Sequence, residues 1–288
     1  MYWFYWILGI YLFFSLVVFY AMVNNIFWFR SRKYNLEFQN IESYDLTKPK
    51  IRYYLIKHEA FDPEKWVVIL HSWGRNAARM TKQAKIYQSM GYSIVLVDAP
   101  GHGKSQWVPI VTGIDYSKYA YEICQKHGIE RPIAHGLSFG SISALIFSTR
   151  MEVRAVVPEA MFNNFKDMYD GFLGALKFPT VLFGWIPWLI IKLGPDWSHY
   201  EPRSVLTQTE VPVFLIHGEK DEMFDYKIHF EANKEAAKGK DLRSWLVPDS
   251  PHSKMSEHPE FEERLIDFIQ YVDPRNYNSN EIPPNNVK

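Results

Sequence analysis

The chain of 288 residues has a single cysteine, Cys124, no excess of either charge sign, and no charged side chain between residues 2 and 29. Each scarcity excludes something. One thiol cannot close an intramolecular disulfide, so a disulfide framework is ruled out, and a reducing compartment is compatible. Cys124 lies in the helical pattern "DYSKYAYEICQKHG" with no other reactive group gathered around it, and reads as a small buried apolar residue. With 32 basic and 32 acidic residues the formal net charge is zero, which argues against nucleic acid as a partner. No internal repeat is visible. No cluster of His, Cys, Asp or Glu has metal-ligand spacing, so no metal is expected.

The uncharged stretch is "YWFYWILGIYLFFSLVVFYAMVNNIFWF". It exceeds the roughly 20 apolar residues that span a bilayer as a helix, and aromatic residues cluster at both ends, where headgroups would lie. A cleaved signal would want a basic start and small residues at its end, and neither is present. The expectation is a single-pass transmembrane anchor over residues 1–29. Arg30, Arg32 and Lys33 follow it, which puts the rest of the chain on the cytoplasmic side. Residues 30–50 read as a polar linker, 51–274 as the main domain and 275–288 as a flexible tail.

Beyond residue 50, short apolar runs alternate with longer helical patterns. Residues 51–57, 66–71, 93–98, 132–136, 154–159, 211–218 and 243–248 are aliphatic, short and bounded by Gly, Pro or Asp, and read as strands. Helical patterns cover 77–91, 115–128, 140–151, 226–239 and 258–272. The alternation predicts an α/β fold, a mostly parallel sheet with helices on both faces. In such sheets the chemistry collects at the carboxyl ends of the strands.

Five loops at those ends carry motifs: "HSWGRN" at 71–76, "DAPGHGKS" at 98–105, "GLSFGS" at 136–141, "HGEKDEMFD" at 217–225 and "PDSPHSKM" at 248–255. The second contains G-x-G-K-S but lacks the first glycine of a phosphate-binding loop. Together the motifs resemble the α/β-hydrolase superfamily, in the broad group of serine aminopeptidases, monoacylglycerol lipases and membrane-anchored esterases. The resemblance spans roughly residues 50–272.

Ser138, in "GLSFG", follows a strand and opens a helix, as a nucleophile elbow requires. Gly136 and Gly140 allow the close backbone approach of that turn. A serine needs a base, and His252 lies in the loop after the last strand. His258 is its rival, although "EHPEF" reads as a helix start. Asp221, just beyond the strand at 211–218, would orient the imidazole. Asp225, Glu222 and Glu159 are rivals for that role; some members of the fold supply their acid from the position of Glu159. The order Ser138, Asp221, His252 fits the family. The resemblance assigns the oxyanion hole to the N–H groups of Phe139 and Trp73. Common relatives have His-Gly where this chain has His71-Ser72, and serine fits there only if its φ is negative or the loop shifts. His71 and His102 read as structural.

An insertion at 161–200 occupies the place of a lid. Its apolar, aromatic sequence can line an acyl pocket, touch a membrane surface, or pack as ordinary core. The expected activity is hydrolysis of carboxylic esters, lipid-like or otherwise apolar in the acyl group, by a serine hydrolase with no cofactor. A peptidase, amidase or thioesterase of the same fold, and a non-catalytic lipid- or protein-binding member, are the alternatives. Glu159 could hold a substrate amine in the peptidase reading.

Overall fold

The computed structural model describes residues 2–27, 36–38, 40–108, 111–175, 177, 185 and 197–276. An N-terminal helix, α1, spans Tyr2–Phe27. Eight strands follow: β1 Ile41–Thr47, β2 Lys50–Ile56, β3 Trp66–Leu70, β4 Ser93–Val97, β5 Ile133–Leu137, β6 Ala155–Glu159, β7 Val213–Lys220 and β8 Leu242–Pro251. Seven further helices are α2 Thr81–Ser89, α3 Gly113–His127, α4 Phe139–Phe147, α5 Phe165–Ala175, α6 Pro202–Gln208, α7 Phe230–Ala236 and α8 Phe261–Val272.

The strands form one sheet in the order β1-β2-β4-β3-β5-β6-β7-β8. The first two are antiparallel to each other, and β2 is antiparallel to β4. Every later pairing is parallel. Strands β3 to β6 are buried at every position, which is why they read as continuous apolar runs. The two-residue period sorts them between two cores. Val68, Leu70, Val95 and Val97 join Tyr116, Cys124 and Leu145 on the α3 and α4 face. Val67, Ile69, Ile94 and Leu96 join Ile86, Leu265 and Phe268 on the α2 and α8 face. Cys124 is fully buried, and burial pushes its thiol up to about 12, far from a reactive thiolate.

Local chemistry sets the helix limits. Thr112 caps α3 by accepting the Asp115 N–H, and Asp115 accepts the Thr112 N–H in return. Gly128 ends that helix at φ 62°, where a side chain would be strained.

Two expectations change. Residues 41–47, read as linker, are the edge strand β1. The strand is half exposed, so its sequence, "IESYDLT", lacks a clean apolar signal. Pairing pins it: Asp45 faces Arg52 in register and receives two guanidinium hydrogen bonds, at 2.8 and 3.0 Å. The second change concerns the N-terminus. Among the described residues no helix is long and apolar enough to cross a membrane. The single-pass anchor over 1–29 and the cytoplasmic placement derived from it are therefore corrected. The sequence reading took absence of charge for apolarity. Tyr2, Trp3, Tyr5, Trp6 and Tyr11 in α1 each carry an O–H or N–H, and such rings prefer an interface to hydrocarbon. Of the expected lid at 161–200, residues 176, 178–184 and 186–196 lie outside the described residues. Of the expected tail, 277–288 also lie outside them. The described start of the insertion packs closely. Met161 and Phe162 are buried, and α5 approaches the 221–225 loop so nearly that a Cβ on Gly171 would meet the Met223 carbonyl at 2.3 Å.

Candidate active site

Parallel strands deliver their carboxyl ends to one rim, and the motif loops meet there. Ser138 sits between β5 and α4 at φ 53° and ψ −112°, a conformation costly for any residue with a Cβ. The surroundings hold it. Its N–H donates to the Glu159 carbonyl at 2.7 Å, and its own carbonyl accepts the Ser141 N–H at 2.9 Å. Both flanking glycines are required by contact. A Cβ on Gly136 would lie 2.0 Å from the Gly140 oxygen, and one on Gly140 would lie 2.0 Å from the Leu70 oxygen.

His252, in the loop leaving β8, comes within 3.1 Å of the Ser138 Oγ through Nε2. Its Nδ1 lies 2.7 Å from Asp221 Oδ2. The other carboxylate oxygen accepts the N–H groups of Met223, at 2.9 Å, and Phe224, at 2.8 Å. Burial works against charge on Asp221, but the hydrogen bond and charge of His252 outweigh it and hold the carboxyl below its usual range. An ionised Asp221 can only accept, so Nδ1 of His252 carries the proton. Nε2 is then left with a lone pair facing the serine O–H. The sequence-predicted Ser138, His252 and Asp221 thus stand in one hydrogen-bonded chain.

Their rivals stand elsewhere. Glu222 and Asp225 are exposed, and Asp225 accepts the Lys227 N–H in a turn. His258 accepts the Glu260 N–H at the start of α8 and packs edge-on against Trp245. Glu159 is 1 % exposed and bonded to His135 and Gln83 on the α2 side of the sheet, so it is not placed to hold a substrate amine.

Phe139 opens α4, where the first N–H groups of a helix have no acceptor within it. Trp73 lies beside it, the two rings edge to face at 4.6 Å. Ser72 is not left-handed; Gly74, at φ 66°, makes the turn instead, so serine is tolerated at position 72. His71 ties this loop down. Its Nδ1–H donates to the Ser72 carbonyl at 2.8 Å, and its Nε2 accepts the Ala99 N–H at 3.0 Å. Asp98 holds the next loop by accepting the Ala77 and Lys104 N–H groups.

Burial, with the neighbouring His102, lowers the His71 pKa from 6.5 to about 3. The fold therefore binds fewer protons there than the unfolded chain does. The stabilisation is complete above pH 6.5 and is lost progressively as pH falls toward 3. His71→Gln should remove about 3 kcal/mol of the stability difference between pH 7 and pH 4, measured by urea unfolding at each pH. An unchanged pH dependence would mean that His71 can charge within the fold.

One contributor was not anticipated. His217 is fully buried within β7; its Nε2–H donates to the Phe224 carbonyl at 2.8 Å and lies 3.4 Å from Asp221 Oδ2. Burial depresses its pKa and favours the neutral ring. It grips the 221–225 loop from below. The available signal was a histidine following the apolar run "VFLI".

No family model matches the chain. A non-heme chloroperoxidase of Streptomyces lividans is 24% identical over 244 residues, covering 67% of this chain and 87% of that protein. Among solved structures, an esterase of Pyrococcus furiosus superposes with a TM-score of 0.62 at 18% identity, covering 83% of this chain and 98% of its own. A proline iminopeptidase of Mycobacterium smegmatis superposes at 0.61 and 16% identity, covering 82% and 99%.

Proposed function

We propose, on the premise that this chain belongs by fold to the α/β-hydrolase superfamily, that it is a serine hydrolase cleaving carboxylic esters through an acyl-enzyme. The observation that carries the reading is the single imidazole of His252 bridging Ser138 and Asp221. In the first step Nε2 takes the Ser138 proton as Oγ attacks the ester carbonyl. Negative charge gathers on the carbonyl oxygen, which the N–H groups of Phe139 and Trp73 are assigned to stabilise. The positive end of α4 favours the same charge. The imidazolium, stabilised by Asp221, then protonates the departing alcohol. Water, deprotonated by the same Nε2, attacks the acyl group, and Ser138 recovers its proton as the acid leaves. No cofactor enters these steps.

Aromatic rings flank the serine and favour an apolar acyl group. Phe139 follows it directly, with Trp73 edge-on. On the other side Phe224 lies edge-on to His252 at 5.1 Å, backed by Phe162 at 5.6 Å. The peptidase alternative loses its amine anchor, because Glu159 faces the α2 side.

The test is reaction with a fluorophosphonate, followed by mass mapping of the adduct. The expected adduct is on the peptide containing Ser138, with hydrolysis rates for p-nitrophenyl esters rising from acetate to octanoate. Folded protein that takes up no probe would overturn the reading in favour of a binding protein.

A further inference from the structure

On the α2 face of the sheet, behind the nucleophile elbow, four polar side chains form a chain that the reaction does not use. Gln83 and Tyr87 sit one turn apart on α2, His135 on β5 and Glu159 at the end of β6. All are at most 1 % exposed. The Tyr87 hydroxyl is 3.0 Å from His135 Nδ1, His135 Nε2 is 2.6 Å from Glu159 Oε1, and Gln83 Nε2 donates to the same oxygen at 2.9 Å. Burial raises the Tyr87 pKa well above 10, so its hydroxyl keeps its proton. The direction is then set: Tyr87 O–H to Nδ1, and Nε2–H to the carboxylate.

A buried polar chain is a poor source of stability, since apolar side chains of equal size would usually serve as well or better. Its placement is more informative. The main-chain carbonyl of Glu159 is the acceptor for the Ser138 N–H. The next residue, Ala160, is left-handed at φ 48°, with its N–H held by the Ile216 carbonyl at 2.8 Å. Two strained residues, Ser138 and Ala160, therefore flank the Glu159 carbonyl. Such conformations persist only when their surroundings over-determine them. The Glu159 side chain is the one part of that residue tied to a different layer, α2.

We infer that Gln83, Tyr87 and His135 act through Glu159 as positioning residues, fixing the carbonyl that holds Ser138 in its attacking conformation. None of them touches the substrate. The inference rests on Ser138 being the nucleophile, but part of its test does not.

The variants are Glu159→Gln, His135→Leu, His135→Gln and Tyr87→Phe. The readings are kcat and KM on p-nitrophenyl butyrate and hydrogen exchange at the Ser138 amide, all taken well below each variant's Tm. Glu159→Gln and His135→Leu should lower kcat by about tenfold or more with KM nearly unchanged, because misplacement weakens attack rather than binding. Exchange at Ser138 should accelerate by about the same factor as its hydrogen bond loosens. His135→Gln keeps a side-chain N–H donor and should recover part of both effects. Tyr87→Phe, at the far end of the chain, should show a smaller loss of the same kind. It also preserves the test if a Glu159 variant fails to fold. A fall in Tm with kcat and Ser138 exchange unchanged would overturn the inference and leave a structural network. Faster Ser138 exchange in a protein whose wild type turns over no ester would uphold the positioning and sink the hydrolase reading instead.

Discussion

Ser138→Ala is expected to lower kcat by about 10⁶-fold while leaving the fold intact. The substitution removes one oxygen. Alanine bears the same strain at φ 53°, and the hydrogen bond to Glu159 is made by the backbone. What disappears is the hydroxyl bonded to His252 Nε2, the atom that would form the acyl-enzyme. The remaining rate would come from the oxyanion donors and from binding. Asp221→Asn should cost less, about 10⁴-fold. An asparagine amide can donate to Nδ1, which turns the imidazole to the tautomer with its proton on Nε2, facing the serine. Both values come from kcat on one ester, with circular dichroism as the check on folding. A Ser138→Ala protein retaining more than about a hundredth of the wild-type rate would place the nucleophile elsewhere.

The second large effect falls on stability. Gly140→Ala should cost about 3 kcal/mol or more in urea unfolding and abolish probe labelling. Its Cβ would stand 2.0 Å from the Leu70 oxygen, 2.5 Å from the Leu70 carbonyl carbon and 2.8 Å from the His71 oxygen. All three are backbone atoms at the end of β3, so relief requires moving a strand or the start of α4. Either movement displaces the elbow. Gly174→Ala in α5 is the control. Nothing lies within 4 Å of its added Cβ, so the helix should be unchanged or gain up to about 1 kcal/mol. A Gly140→Ala protein as stable as the Gly174→Ala control would show that the elbow has room that the contacts deny it.

Much of the fold was legible because buried parallel strands leave a plain trace. The runs from "IRYYLIK" to "RSWLVP" match β2 to β8; two-sided burial demands continuous apolar residues in β3 to β6, and the rim between strand and helix demands glycine. The candidate site was legible for a related reason. Ser138, Asp221 and His252 each follow a strand, and parallel strands bring their carboxyl ends to one rim. Other features had no local signature. Edge strand β1 gains its order from pairing with β2, so its own sequence is half polar. The N-terminal stretch shows that counting charges is not the same as measuring apolarity, because tyrosine and tryptophan are uncharged yet polar at one end.

The sequence by itself determined which residues the chain can bring to one rim: the succession of strands along the chain, the order Ser138, Asp221, His252 after them, and the two glycines beside the serine. Only the tertiary structure decided which way the side chains there point. Glu159 ends one apolar strand and Asp221 follows another, and spacing could not separate them. A strand's period of two sends Glu159 to the α2 face, against His135 and Gln83. The turn after β7 instead swings Asp221 toward His252 and ties it to the N–H groups of Met223 and Phe224. Facing is set by pleat and loop geometry across layers far apart in sequence, and no local pattern records it.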